Sequence, residues 1–503
     1  MSEIKPKTMN LENTDSSLAD QIPRFPGRTV LVLGDVMLDR YVAGEVSRIS
    51  PEAPIPVLRV TGSRTALGGA ANVAHNVAAL GARAILFGIV GVDEAGGEIE
   101  RLVRKAGDNI EGRLFAVAGR PTTVKTRFIK GSHQLLRVDD ETVDPLDLGS
   151  AGELAQRFAL AVAECDIVVL SDYAKGVLCD SVLRQVIGLA NAARRMIVAD
   201  PKRTSFDAYR DVTILTPNAH EASLATGVAA SDDSGAEKAA RLALEATSCE
   251  AVLVTRSENG LTLVQRGLPA LHLPARVQQV SDVSGAGDTF IATLATALAS
   301  QLDLVTASRL ANIAAGISVT RPGTAVVTSG DLEDELRRRT LIATDEKLMA
   351  LEAALRQIAE WRRQGLSIGF TNGCFDLIHP GHIHLLAQAR AACDRLVVGL
   401  NTDASVRRLK GPERPVQSET ARATVLSSMA TVDLVILFGE ETPLTLIEAI
   451  RPDILIKGAD YAADQVVGAN IVRQSGGRVF LVDLLAGEGT TATIERFRER
   501  AKC

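Results

Sequence analysis

The sequence predicts two successive α/β domains, each built on a largely parallel sheet, the first carrying a small β lid. Short apolar, β-branched runs alternate with Ala-rich helical stretches of about 10–15 residues, which is the pattern of βαβ units. That alternation stops in a charged helical stretch and then begins again, so one domain follows another. Length agrees: at roughly 150 residues per domain, 503 residues hold two or three.

Residues 1–25 are polar and mixed in charge, and read as a flexible leader. Order begins at Arg28, where RTVLVLG is a buried strand closed by Gly34. A helix over 70–80 and a strand over 84–89 follow. Further strands lie at 166–170, 196–199, 212–215 and 251–255, separated by helices such as 181–193 and 236–246. Two β-rich departures, 55–60 and 122–138, predict a small antiparallel lid. The first domain spans 26–330. Residues 331–364 are charged and helical without a strand signal, and read as a helical linker. From 365 to 503 the alternation resumes, with strands at 366–371, 396–400, 432–437 and 454–456 and helices at 381–392, 419–430 and 443–450. Neither half repeats the other.

Composition narrows the function classes. A hydrophobic fraction of 46% excludes a largely disordered chain. The net charge of −6 and only 3% aromatics argue against a nucleic-acid or anionic-membrane partner. The six cysteines are scattered without a CxxC pair, which speaks against a disulfide framework. No signal-like or membrane-length apolar run occurs, so a soluble, cytoplasmic, multidomain protein is expected.

Two motifs carry chemistry. The first is Asp282-Val-Ser-Gly285-Ala286-Gly287-Asp288 leading into an uncharged helix. Its glycines let backbone N–H groups converge at a helix start, where the helix dipole favours anions. Asp288 beside such a cradle suits either proton acceptance from a hydroxyl or simple helix capping. Earlier, Gly68-Gly69 precedes a helix carrying Asn72, whose amide both donates and accepts; a plain turn would use the same glycines.

The second motif is Phe370-Thr371-Asn372-Gly373-Cys374-Phe375-Asp376-Leu-Ile-His379-Pro-Gly-His382-Ile-His384, running from a strand through a turn into a helix. Three of the seven histidines fall within six residues here. His379 and His382, three apart at a helix start, can both reach an anion held there. Zinc competes for such a cluster but wants further ligands at matching spacing. His384 is expected to point elsewhere.

With these motifs in view, 28–329 resembles the ribokinase (PfkB) family of sugar kinases, and the GxxxxGK[ST] phosphate loop is absent. The resemblance implies Gly285, Ala286 and Gly287 as the anion hole and Asp288 as the base. It implies Asp35, Asp39, Gly68, Gly69 and Asn72 on the sugar, and the Asn218-Ala219-His220-Glu221 segment on ATP, with Glu221 holding Mg²⁺ through water. Lys202 matches a further phosphate-side segment, although a solvated lysine reads alike. Ser171-Asp-Tyr-Ala-Lys175-Gly looks like the wording of kinases acting on heptose phosphates, which makes Lys175 a phosphate contact. Residues 366–501 resemble the HxGH nucleotidyltransferases. That resemblance puts Thr371, Asn372, Gly373, Phe375, Asp376, Lys457, Asp460, Thr490 and Thr491 around a nucleotide, with His379 and His382 stabilising charge at the α-phosphorus.

The fusion is similar to the bifunctional enzymes of ADP-heptose synthesis for the lipopolysaccharide core. It implies ATP-dependent phosphorylation of heptose 7-phosphate at O1, then adenylyl transfer from ATP to heptose 1-phosphate. A separate phosphatase must act between the steps, since no DxDx[TV] signature occurs. Family precedent implies a homodimer. The alternatives are another sugar phosphate or nucleotide on the same architecture, or a sugar-phosphate sensor without turnover.

Overall fold

The computed structural model describes residues 18–131, 133–275, 280–459 and 465–483, with the backbone alone over 340–346. The chain divides into two compact units, Met1–Arg337 and Arg338–Cys503.

The first unit contains β1 (Thr29–Gly34), β2 (Val36–Ile49), β3 (Pro56–Gly69), β4 (Arg83–Gly91), β5 (Ile110–Val117), β6 (Thr123–Lys130), β7 (His133–Asp140), β8 (Ile167–Ser171), β9 (Met196–Asp200), β10 (Ile214–Leu215), β11 (Ala251–Thr255), β12 (Leu261–Gln265) and β13 (Leu271–Leu273). Among the described residues its main sheet has nine strands in the order β13-β12-β11-β10-β9-β8-β1-β4-β5. The run from β11 to β5 is parallel, and β12 and β13 close one edge antiparallel. β1 shows why such strands read as unbroken apolar runs: Val30 and Val32 enter the core on one face, Leu31 and Leu33 the core on the other. Strand order reverses between β1 and β8, and ligands of open α/β sheets gather at the carboxyl ends beside such a reversal.

The lid is a four-stranded sheet, β3-β2-β6-β7. It is not wholly antiparallel as expected, because β2 pairs parallel with β6. β2 was not foreseen: it starts buried and ends exposed, so neither period dominates its sequence. Only Asp35 separates β1 from β2, which puts this aspartate at the joint of sheet and lid.

The second unit is a parallel sheet of β14 (Ile368–Gly373), β15 (Arg395–Asn401), β16 (Leu434–Phe438), β17 (Ile454–Gly458) and β18 (Arg478–Val482), in the order β16-β15-β14-β17-β18. Its reversal point falls between β14 and β17, at the strand end that carries Thr371–Gly373. The segment read as a linker is shared out between the cores. Leu332 and Leu336 of the helix Ser329–Glu346 are buried in the first unit. Lys347 and Met349 bond the backbone of Val435 in β16, and the helix Leu351–Arg363 buries Ala354 and Ile358 in the second.

Arg422 is the largest fully buried side chain of the described residues. It donates to the carbonyls of Cys374 (2.5 Å) and Gln417 (3.1 Å) and to the Asp403 carboxylate (2.7 Å), tying the motif turn to two other segments. Arg422→Met is expected to destabilise this unit by about 3 kcal/mol, because it strands buried acceptors. Urea melts followed by Trp361, the chain's one tryptophan, check this; an unmoved midpoint would contradict it.

Candidate active sites

In the first unit the helix Ala286–Ala299 starts at Gly285, whose φ of +80° is left-handed. A Cβ at Gly285 would come within 3.0 Å of the Asn72 amide nitrogen, so glycine serves both conformation and close approach. Asp288, in the first turn, is 3% exposed. Its Oδ2 accepts from Asn72 Nδ2 (2.7 Å) and its Oδ1 from the Tyr173 hydroxyl. Burial pushes its carboxyl up to about 6, against the pull of these two donors. The capping alternative fails: Asp288 lies inside the helix, and its side chain is held by groups from other elements.

Gly68 and Gly69 are required by crowding. A Cβ on Gly68 would lie 2.8 Å from Asp39 Oδ2, and one on Gly69, at φ +55°, 2.4 Å from the Asp35 carbonyl oxygen. Asp39 pairs with Arg127 of β6 through Oδ1, and its carboxyl is nevertheless raised, burial outweighing the guanidinium.

Asp35 corrects an expectation. Its carboxylate is 1% exposed and is occupied by three backbone donors, Tyr173 (2.8 Å), Lys175 (3.0 Å) and Val177 (3.1 Å). It therefore staples the loop after β8 rather than presenting itself to a sugar. Lys175 is likewise engaged, its ammonium 2.5 Å from Glu141 Oε1.

On the nucleotide side, Asn218 and Glu221 form a reciprocal capping box at the helix Ala219–Thr226, with both bonds at 2.9 Å. Glu221 Oε1 also takes the Lys202 ammonium at 2.5 Å. Ala219 belongs to the same turn, but His220 is exposed. Asp200, at the end of β9, has its carboxyl pushed well up by burial and by Glu221 and Asp288. Like charges gathered this way suit a cation. Among the described residues no three His, Cys, Asp or Glu side chains form a metal cluster.

In the second unit β14 delivers Thr371, Asn372 and Gly373 to the sheet edge, and the chain turns at Phe375, whose φ of +44° is unusual for an aromatic residue. Burial of its ring, packed 5.0 Å from that of His382, holds this conformation. A Cβ on Gly373 would meet the Phe375 ring at 3.1 Å. His379 caps the helix Pro380–Ala391, with proline in the first turn where no N–H is wasted. The His379 and His382 rings lie 3.9 Å apart. Burial, then the neighbouring His379, pulls the His382 imidazole down to about 4, so it is neutral near pH 7. Buried Thr371 Oγ1 and Asn372 Oδ1 have no hydrogen-bond partner, and Lys457 Nζ reaches the Asn372 carbonyl (3.1 Å).

Asp376 is a further correction. Its buried carboxylate holds Arg414 and the N–H groups of Val416 (2.7 Å) and Gln417 (3.0 Å), so it fixes a loop instead of meeting the nucleotide. His384, with His379, Pro380, Ile383 and Ala387, borders a hollow of about 620 Å³ that His382 does not line. Pro380, Ile383, His384 and Ala387 share one i, i+3, i+4, i+7 stripe of the helix. Asp460, Thr490 and Thr491 lie outside the described residues. Tyr173, Arg127 and Asp200 were missed because their partners are distant in sequence.

Residues 28–329 match the pfkB family carbohydrate kinase pattern, and 370–481 the cytidylyltransferase-like pattern. The first unit's fold is similar to ribokinase from Arabidopsis thaliana (TM-score 0.51, 21% identity, covering 62% of this chain and 99% of that one). It is also similar to phosphofructokinase-2 from Escherichia coli (TM-score 0.51, 19% identity, 62% and 98%). Over 97% of its length the chain is 52% identical to the bifunctional protein HldE of Caulobacter sp. strain K31, covering 99% of that protein. It is 51% identical to the HldE of Rhodospirillum rubrum, over 95% of this chain and 97% of that one. Identity of about half along nearly the whole length of these relatives, with the two family patterns matched one after the other, shows that the chain belongs to the HldE family of bifunctional enzymes, a heptose kinase joined to an adenylyltransferase.

Proposed function

We propose that the first unit transfers the γ-phosphoryl group of ATP to O1 of heptose 7-phosphate. The observation that carries this is the meeting of Asp288 with Asn72, 216 residues away, at a glycine-led helix start. Asp288 takes the O1 proton as O1 bonds to the γ-phosphorus, and the bond to the β-phosphate oxygen breaks to release ADP. The N–H groups of Gly285, Ala286 and Gly287 stabilise charge on the transferred oxygens. Asp39, with one oxygen beside Gly68, orients the sugar. Mg²⁺, when bound, neutralises phosphate charge; Glu221, through water, and Asp200 are the residues to hold it, with Lys202 and Asn218 on the phosphate side.

In the second unit an oxygen of heptose 1-phosphate attacks the α-phosphorus of another ATP, and pyrophosphate leaves, giving ADP-heptose. The nucleophile is already ionised, so no strong base is needed, and catalysis is orientation plus charge stabilisation. His379 and His382 supply it at the helix start, while Thr371, Asn372 and Lys457 bind the nucleotide. The unpartnered Thr371 and Asn372 oxygens support this reading.

The 7-phosphate falls to a separate phosphatase, and the product serves the lipopolysaccharide core. The reactions run in the cytoplasm, and among the described residues no helix is long and apolar enough to cross a membrane. The chain works as a homodimer through the lid, where Ile49, Val60, Leu136 and Val138 are exposed.

Asp288→Asn is expected to lower heptose 1,7-bisphosphate formation by a factor on the order of 10³ and leave adenylyl transfer from supplied heptose 1-phosphate intact. His382→Ala does the reverse. Mass spectrometry of products from each variant tests both, and loss of both products in either variant would refute separate sites. For pH the sign follows from the base: Asp288 acts ionised, so kinase kcat/KM falls as pH drops through about 6. A profile flat down to pH 5 would contradict the assignment.

A further inference from the structure

The loop after β8 holds a group that the reaction as described does not use. Tyr173 donates its hydroxyl to Asp288 Oδ1, on the carboxylate whose Oδ2 is held by Asn72. The loop has little freedom. Asp35 accepts the N–H groups of Tyr173, Lys175 and Val177, and Asp172 accepts that of Ala174 (2.7 Å). Ala174 sits at φ +54°, a conformation that persists only when surroundings impose it. A Cβ on Gly176 would strike the Asp144 carbonyl at 2.0 Å, so the chain cannot relax on that side either. Two buried carboxylates and a crowded glycine therefore aim one phenol at the base.

We infer that Tyr173 is a positioning residue of the kinase reaction, holding the Asp288 carboxylate ionised and turned toward the acceptor hydroxyl, with Asp35 acting through it as the staple of its loop. This rests on Asp288 being the base. A carboxylate offers about four lone-pair sites. Two are filled here, one on each oxygen, which leaves the others for the O1 hydroxyl and restricts where that hydroxyl can stand. Asn72 Nδ2 can only donate, and the Tyr173 phenol is held well above its ordinary range by burial and by the carboxylates Asp288, Asp200 and Asp39. Tyr173 thus stays a donor throughout the working pH range and does not compete for the substrate proton.

The groups facing Asp288 can be named element by element: Asn72 from the helix Ala70–Ala79, Tyr173 from the β8 loop, Asp39 from β2 and Asp200 from β9. Arg127 of β6 is bound to Asp39, and Lys202 to Glu221. Of these only Tyr173 and Asn72 bond to Asp288 directly, and both favour its ionised form.

Tyr173→Phe keeps the ring and removes one donor. Loss of a hydrogen bond of this kind is expected to lower kinase kcat roughly three- to tenfold near neutral pH and to move the acid limb of kcat up by about half to one pH unit. The KM for heptose 7-phosphate should stay within about twofold, and adenylyl transfer by the same chain should be unchanged. Full pH profiles of kcat and KM for the wild type, Tyr173→Phe and Asp288→Asn decide the matter. An unmoved limb in Tyr173→Phe with a dead Asp288→Asn overturns the inference alone. An active Asp288→Asn overturns the base assignment beneath it. A rise in KM without a shifted limb makes Tyr173 a sugar contact and also overturns the inference.

Discussion

The burial of a carboxylate at the start of an uncharged helix is the constraint on which the first site depends. In water Asp288 would be a weak base, ionised at every working pH; desolvation raises its proton affinity toward neutrality, where a base is useful. Desolvation alone would leave the group protonated, so donors must offset part of it. Asn72 reaches it from the helix that follows the lid, and Tyr173 from the loop that follows β8. The reversal of strand order between β1 and β8 brings these segments to one sheet edge.

The second site solves a related problem without a base. Burial disfavours charge on His382, and the His379 imidazole 3.9 Å away adds to that, so His382 is neutral in the free enzyme. A triphosphate reverses the balance by supplying the negative charge the pocket lacks. The fully buried Arg422 and the Arg414–Asp376 pair sit behind this turn and tie it to neighbouring segments, so the histidines stand on a scaffold braced by ion pairs.

Several carboxylates have structural work that their motif positions conceal. Asp35 and Asp376 look from sequence like ligand contacts, since each lies beside a strand end in a glycine-flanked motif. Both instead accept backbone N–H groups of a loop contributed by another part of the chain. A buried carboxylate with two or more such donors is a rigid staple. Only the arrival of the second segment tells staple from contact.

Local pattern was enough for the two parallel sheets, the glycine-led helix start with Asp288, and the histidine pair at positions 379 and 382. Apolar runs, helix starts and glycine requirements are properties of neighbouring residues, so they are written within a few positions of one another. The long lid strand β2 escaped because its burial changes along its length. Tyr173, Arg127 and Arg422 were beyond reach for a different reason. Each acts on a partner between 19 and 115 residues away, and a contact of that kind exists only once the sheet has brought its strand ends together. Sequence thus determined which groups could do the chemistry, and tertiary structure decided which of them are free to touch substrate and which are held in place to aim the others.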